Sequence, residues 1–117
     1  RMTNLVLPTM KNQNWGRIIN IIGTSGKEPS ARLIKSGVAN AGLINFTKSV
    51  SAQAAQFNVL ITAINPGLID TPRHRHYLEI AAQEEVANLV LFLASECASY
   101  ITGVTFPIDG GLSSSAF

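Results

Sequence analysis

Apolar positions along the chain fall into six blocks, and the spacing within each block predicts the element it builds. In the first, Leu5, Val6, Leu7 and Met10 share a helical face that runs out near Lys11. Pro8 inside that face predicts a kink or a last turn, because proline lacks an amide donor and crowds the turn before it. The polar stretch 11–16 reads as a turn. Arg17-Ile18-Ile19-Asn20-Ile21-Ile22 is a short β-branched run held between Gly16 and Gly23, as expected of a strand covered on both faces. Residues 23–30, rich in Gly, Ser and Pro, read as a loop. The longest helical pattern follows, from about Ser30 to Gln56. It has a broad apolar face that includes Ile34, Val38, Ala41, Leu43, Ile44 and Val50. The small residues Gly37, Ala39, Ala41 and Gly42 would let another backbone come close. A second strand is predicted at 59–64, ended by Asn65-Pro66-Gly67. Residues 68–83 read as loop or short helix. Residues 84–95 read as an amphipathic helix with Val86, Leu89, Val90, Phe92 and Leu93 inward. A third strand at 104–108 stops at Asp109-Gly110-Gly111, before a loose tail of serines.

Helix and strand therefore alternate, and every strand-to-strand connection passes through a helix. That order predicts parallel pairing in an α/β layer fold with right-handed crossovers.

Composition narrows the functional classes. With 46% hydrophobic and 14% charged residues the chain is globular rather than disordered, and 117 residues allow one domain at most. A net charge of +2 is too mild to argue for nucleic acid or an anionic membrane as a partner. No apolar run approaches a membrane span. The lone Cys97 cannot form an internal disulfide, which fits a reducing, cytoplasmic setting. With Glu96 beside it, Cys97 reads as a packing residue rather than a reactive thiolate. Arg73-His74-Arg75-His76 is the densest basic run and reads as a solvated lid. Two histidines without a carboxylate or thiol at ligand spacing do not make a metal site, and no metal is expected.

Five segments, in order, resemble the short-chain dehydrogenase/reductase family, in particular its 3-ketoacyl-(acyl-carrier-protein)-reductase-like branch. They are Trp15-Gly16-Arg17-Ile18-Ile19-Asn20-Ile21, Ala41-Gly42-Leu43-Ile44-Asn45-Phe46-Thr47-Lys48-Ser49 and Asn65-Pro66-Gly67-Leu68-Ile69-Asp70-Thr71. The fourth is Glu84-Glu85-Val86-Ala87-Asn88 running into Phe92-Leu93-Ala94-Ser95, and the fifth is Tyr100-Ile101-Thr102-Gly103 running into Asp109-Gly110-Gly111. The resemblance implies the C-terminal part of a doubly wound, parallel-sheet Rossmann fold, with residues 1–117 forming the C-terminal half of a single such domain. Nothing in this chain resembles the family's glycine-rich phosphate turn. Arg1 is read as not the biological start. Only residues 73–83 stand where the family has a longer substrate loop, so residues are expected to be deleted or absent between Gln83 and Glu84.

The family's chemistry is hydride transfer between a nicotinamide and a carbonyl or alcohol carbon, so the resemblance implies NAD(P)(H) as cofactor. In that chemistry a Tyr hydroxyl moves the proton, a Lys four residues later lowers the Tyr pKa, and a Ser at the end of the preceding strand polarises the carbonyl. Matching the motifs puts Ser36 at the Tyr position, Asn40 at the Lys position and Gly23 at the Ser position. No member of the usual tetrad is therefore present in matching form. Tyr77 and Tyr100 belong to other segments, and Lys35 points about 100° away from Ser36 on a helix. Ser25 and Thr24 lie near the expected carbonyl, either polarising it or capping the turn. Pro66, Gly67, Ile69 and Thr71 match the family's nicotinamide-contacting turn. The expected function is an NAD(P)-dependent oxidoreductase acting on a carbonyl or alcohol, of which a 3-ketoacyl thioester is one example, with non-standard catalytic positions. The alternative is an SDR-like subunit that binds nucleotide or serves structure without hydride transfer. By analogy with the family, a homo-tetramer or dimer is expected.

Overall fold

The computed structural model describes residues 2–67, 75–111 and 113–114, and of residues 75–82 the backbone alone. Helix α1 (Met2–Gln13) leads to strand β1 (Gly16–Ile21), and a single 3-10 turn at Thr24–Gly26 leads to helix α2 (Ile34–Ala55). Strand β2 (Val59–Pro66), helix α3 (Arg75–Ala94), a second 3-10 turn at Glu96–Ala98 and strand β3 (Thr105–Ile108) complete the order. The three strands form one parallel sheet in the order β1-β2-β3. Register runs from Gly16 opposite Val59 to Ile21 opposite Ile64, and from Ala63 opposite Thr105 to Pro66 opposite Ile108. The α/β fold expected from the alternation is the one observed.

The first two helix-to-strand returns use an asparagine in the left-handed region, Asn14 at φ 52° and Asn58 at φ 54°. Asparagine is among the few side chains that tolerate it. The two are joined by a hydrogen bond from Asn58 Nδ2 to the Asn14 carbonyl, 3.1 Å. Pro8 does not end α1, which continues to Gln13.

Alternate side chains of β2 serve two cores. Val59 and Ile61 pack with Ala54 and Val50 of α2, Leu7 and Met10 of α1, and Ile18 of β1. Ile64 faces the other way, onto Leu93, Val86, Leu89 and Val90 of α3. The central strand is buried at seven of its eight positions. A right-handed crossover puts its helix on a face fixed by the direction in which the chain crosses the sheet. Both crossovers here move the same way, yet α2 and α3 lie on opposite faces. One of the two is therefore left-handed, against the expectation that both are right-handed. The face of α2 already carries α1, so the apolar side of α3 finds uncovered area only on the other face.

Helix α3 begins at Arg75, nine residues ahead of the expected start, and runs through Gln83 and Glu84 without a break. Phe92, expected inward, is exposed, as is Cys97; in the turn after α3 it is Ala98 that packs. Ser113 and Ser114 are not loose. Asp109 accepts hydrogen bonds from the amide and hydroxyl of Ser113, and Glu28 accepts from the amide and hydroxyl of Ser114. No helix among the described residues is long and apolar enough to cross a membrane.

Candidate functional site

Parallel pairing brings the carboxyl ends of all three strands to one edge of the sheet, where ligands of open α/β sheets bind. β1 runs out there into Ile22 and Gly23, with the Ile22 amide donating to the Ile64 carbonyl at 2.9 Å. The turn Thr24–Gly26 then presses onto the start of α2. A side chain at Gly26 would meet the backbone of Asn40 and Ala41 at 2.8 and 2.9 Å, and one at Gly37 would meet the Ser25 carbonyl at 3.1 Å. These two glycines let turn and helix touch backbone to backbone. Gly37 thus provides the close approach expected of the small residues in α2, and the approaching backbone is the chain's own turn.

That contact gathers four residues singled out in the sequence. Ser25 Oγ lies 3.2 Å from Ser36 Oγ. Asn40 Nδ2 donates to Ser36 Oγ at 3.0 Å and to Ser25 Oγ at 3.1 Å, while Asn40 Oδ1 accepts the Gly23 amide at 3.0 Å. Ser36 and Asn40 meet because they stand one helical turn apart on α2. Ser25, only 7% exposed, is the buried member. Gly23 makes room: a Cβ there would stand 2.8 Å from Asn40 Nδ2. The network is built from two hydroxyls, one carboxamide and one backbone amide. Among the described residues no cation joins it, and Thr24 contributes only its backbone carbonyl, to the turn. Tyr100 is fully exposed elsewhere.

Two clefts open beside the network. Ser25 lines one of about 470 Å³ with Pro29, Leu33, Ile34, Val38 and Ala41. Ser36 lines another of about 410 Å³ with Ala31, Arg32, Leu33, Ile34 and Lys35. Ala31, Leu33 and Ile34 belong to both.

At the end of β2, the Gly67 amide donates to the Ile108 carbonyl at 2.8 Å, and a Cβ on Gly67 would meet Asp109 Cβ at 2.6 Å and Cα at 2.7 Å. The glycine is thus already required by the neighbouring strand end. Pro66 and Gly67 lie at the carboxyl edge, whereas Ile69 and Thr71 fall outside the described residues. So do Arg73 and His74, and the side chain of His76 is likewise undescribed. Asn65, beside this turn, is 2% exposed and its Oδ1 has no hydrogen-bond partner. The hydroxyl of Ser113 and the amide of Gly111 hold the Asp109 carboxyl below its ordinary value. Sequence reasoning missed Gly26, Glu28 and Asp109 as parts of this edge. Asp109-Gly110-Gly111 was read as a strand stop and as the end of the fifth family segment, although an Asp two residues before a glycine amide is itself the signal of an Asx turn.

A crystal structure of a short-chain dehydrogenase/reductase from Burkholderia xenovorans matches with a TM-score of 0.80 and 34% identity over 99% of this chain and 51% of that one. The profile of the family described as Enoyl-(Acyl carrier protein) reductase matches residues 1–113. The chain belongs to the short-chain dehydrogenase/reductase family. Among curated members it is 38% identical to NADPH-dependent reductase BacG of Bacillus subtilis, over 87% of this chain and 49% of that protein. It is also 38% identical to the 3-oxoacyl-[acyl-carrier-protein] reductase of Aquifex aeolicus, over 95% of this chain and 50% of that protein. As a family member, the chain thus spans about half the length of the curated relatives it matches.

Proposed function

We propose that this chain is the C-terminal half of an NAD(P)-dependent short-chain oxidoreductase that takes a carbonyl or alcohol of the 3-ketoacyl class, with Ser36, Asn40 and Gly23 standing in the catalytic positions. The observation that carries the reading is the convergence of Gly23, Ser25, Ser36 and Asn40 at the carboxyl edge of a parallel sheet. The half-length match supports a Rossmann domain completed by segments outside this chain. The alignment with BacG runs over 127 residues, more than the 117 here, which supports a deletion relative to that protein.

The described residues fit a dinucleotide at this edge. The backbone of Pro66 and Gly67 lies at the strand ends, and Asn65 Oδ1 is a buried acceptor still wanting a donor. Pro66 and Gly67, with Ile69 and Thr71, would hold the nicotinamide end. A bound dinucleotide would supply or accept the hydride. What this chain's own side chains can do is orient a carbonyl by hydrogen bonding. A serine with no cation one turn away has no means of reaching a pKa suited to proton transfer, a step worth about 10²–10⁴ in rate. That neutrality favours the second reading, a dinucleotide-binding or structural subunit without efficient hydride transfer.

The test is direct. NADH and NADPH binding by the protein is followed by fluorescence, then cofactor absorbance is followed with a panel of 3-ketoacyl thioesters. Binding is expected, with turnover about 10²–10⁴ below that of relatives carrying Tyr and Lys. No dinucleotide binding would defeat the proposal. Rapid turnover surviving Ser36→Ala and Asn40→Ala would place proton transfer on other residues.

A further inference from the structure

Another cleft, of about 850 Å³, lies between α2 and the segment that enters β3. It shares only Gly26 and Ala41 with the cleft beside Ser25. On its helical side Ala41, Ile44 and Lys48 follow the spacing that aligns side chains along one face. From position 41 to position 48 the helix rises roughly 10 Å. Each end of that span carries a cation. At one end Gly26 seats against α2, where a Cβ on it would stand 2.9 Å from the Ala41 nitrogen, and the half-buried Lys27 follows Gly26 in the turn. At the other end Gly103, at φ 68°, makes room for the Lys48 stem. A Cβ there would lie 3.3 Å from Lys48 Cδ and would collide with Ser51 Oγ. The rest of the lining is Ile44, Val104 and Thr105, and no acidic residue is part of it. Among the described residues neither ammonium group has a hydrogen bond or an ion pair. Glu28, next to Lys27 in sequence, accepts from Ser114 and lines the neighbouring cleft. Two uncompensated cations beside a low-dielectric wall raise the local potential and concentrate anions.

We propose that this cleft binds a linear dianion with an apolar middle, such as a medium-chain α,ω-dicarboxylate, with one carboxylate on Lys27, the other on Lys48, and the methylene chain against Ile44 and Val104. The separation of the two cations along α2 selects for a ligand charged at both ends. A monoanion of the same length satisfies one lysine and leaves the other as it was. The apolar lining between the cations selects for methylene groups over a polar linker, because burying an unpaired polar group there costs free energy. No bond is made or broken. The site lies outside the network of Ser25, Ser36 and Asn40, and it holds whether or not a dinucleotide binds.

The experiment is calorimetric titration of the protein with azelate and with octanoate at low ionic strength, without dinucleotide. Azelate is expected to bind about three- to tenfold more tightly than octanoate, the worth of a second exposed ion pair. Lys27→Gln and Lys48→Gln should each bring azelate down to the affinity of octanoate, and the double variant should bind neither. Lys11→Gln, which removes a cation from α1, should leave both affinities unchanged. Added salt should weaken azelate more than octanoate, because two charge contacts are screened rather than one. Melting temperatures measured alongside show that each variant is folded. Equal affinity of the unaltered protein for azelate and octanoate would overturn the assignment. So would failure of azelate to bind, or a loss in Lys11→Gln as large as that in Lys48→Gln.

Discussion

The two ends of the same sheet are built from opposite materials. At the amino end, Glu96 ties segments some eighty positions apart: it accepts from Trp15 Nε1 at 2.7 Å and pairs with Arg17 Nη2 at 3.5 Å. Arg17, its side chain 4% exposed, also donates to the carbonyls of Gly16 and Asn58 and lies 5.1 Å from the centre of the Trp15 ring. At the carboxyl end, by contrast, Ser25, Ser36 and Asn40 form a network without charge. A buried cation is kept where it staples the scaffold. The network at that edge has hydroxyls and a carboxamide, groups that orient a partner but do not take its proton, while the carboxylates of the same edge, Asp109 and Glu28, accept from Ser113 and Ser114. The contrast separates holding the fold from doing chemistry.

Removing the staple should cost most. Arg17→Ala takes a donor from the Gly16 and Asn58 carbonyls, the latter keeping the Gly16 amide, and Trp15 loses its cation; it should lower unfolding free energy by about 2–4 kcal/mol, read from the urea midpoint. Glu96→Ala should cost less, about 1–2 kcal/mol, because the carboxylate is largely exposed and water replaces part of it. Equal effects of the two would mean that the ion pair, not the buried hydrogen bonds, does the holding. At the other end, Gly23→Ala forces Asn40 aside and should cost about 1 kcal/mol alone. In the Asn40→Ala background it should cost nearly nothing, so the double-mutant cycle reads a coupling where additivity would separate the two residues. The smallest effect concerns Asp109. Its lowered pKa means that the tether to Ser113 is present above the ordinary value of 3.8 and is released as pH falls through the depressed one. The Gly111 and Ser113 amide resonances should therefore titrate together with a midpoint below 3.8; a midpoint above it would contradict the tether.

The sheet was legible because β-branched runs bounded by glycine declare strands, and β1 and β2 lie within two residues of where those runs predict them; β2 is buried as such a run implies, but β1, expected to be covered on both faces, is only partly buried and leaves Ile21 exposed. Ser36 and Asn40 were legible as a pair because the family resemblance matches them to the Tyr and Lys positions, and residues four apart on a helix share a face. The contact of Asn40 with Gly23 was not, since it spans seventeen positions and depends on how a turn seats on α2. The start of α3 was hidden because Arg75-His76-Tyr77 carries no apolar period. The hand of the crossovers was hidden for a different reason: it depends on which face the earlier helices leave open, and no local pattern records that.

The opposing placement of α2 and α3 means that the chain's two strand–helix–strand units are not interchangeable modules. The first sends its inward side chains from odd positions of β2, the second from even ones. A copy of either unit grafted in place of the other would therefore turn the alternate set of β2 side chains toward each helix.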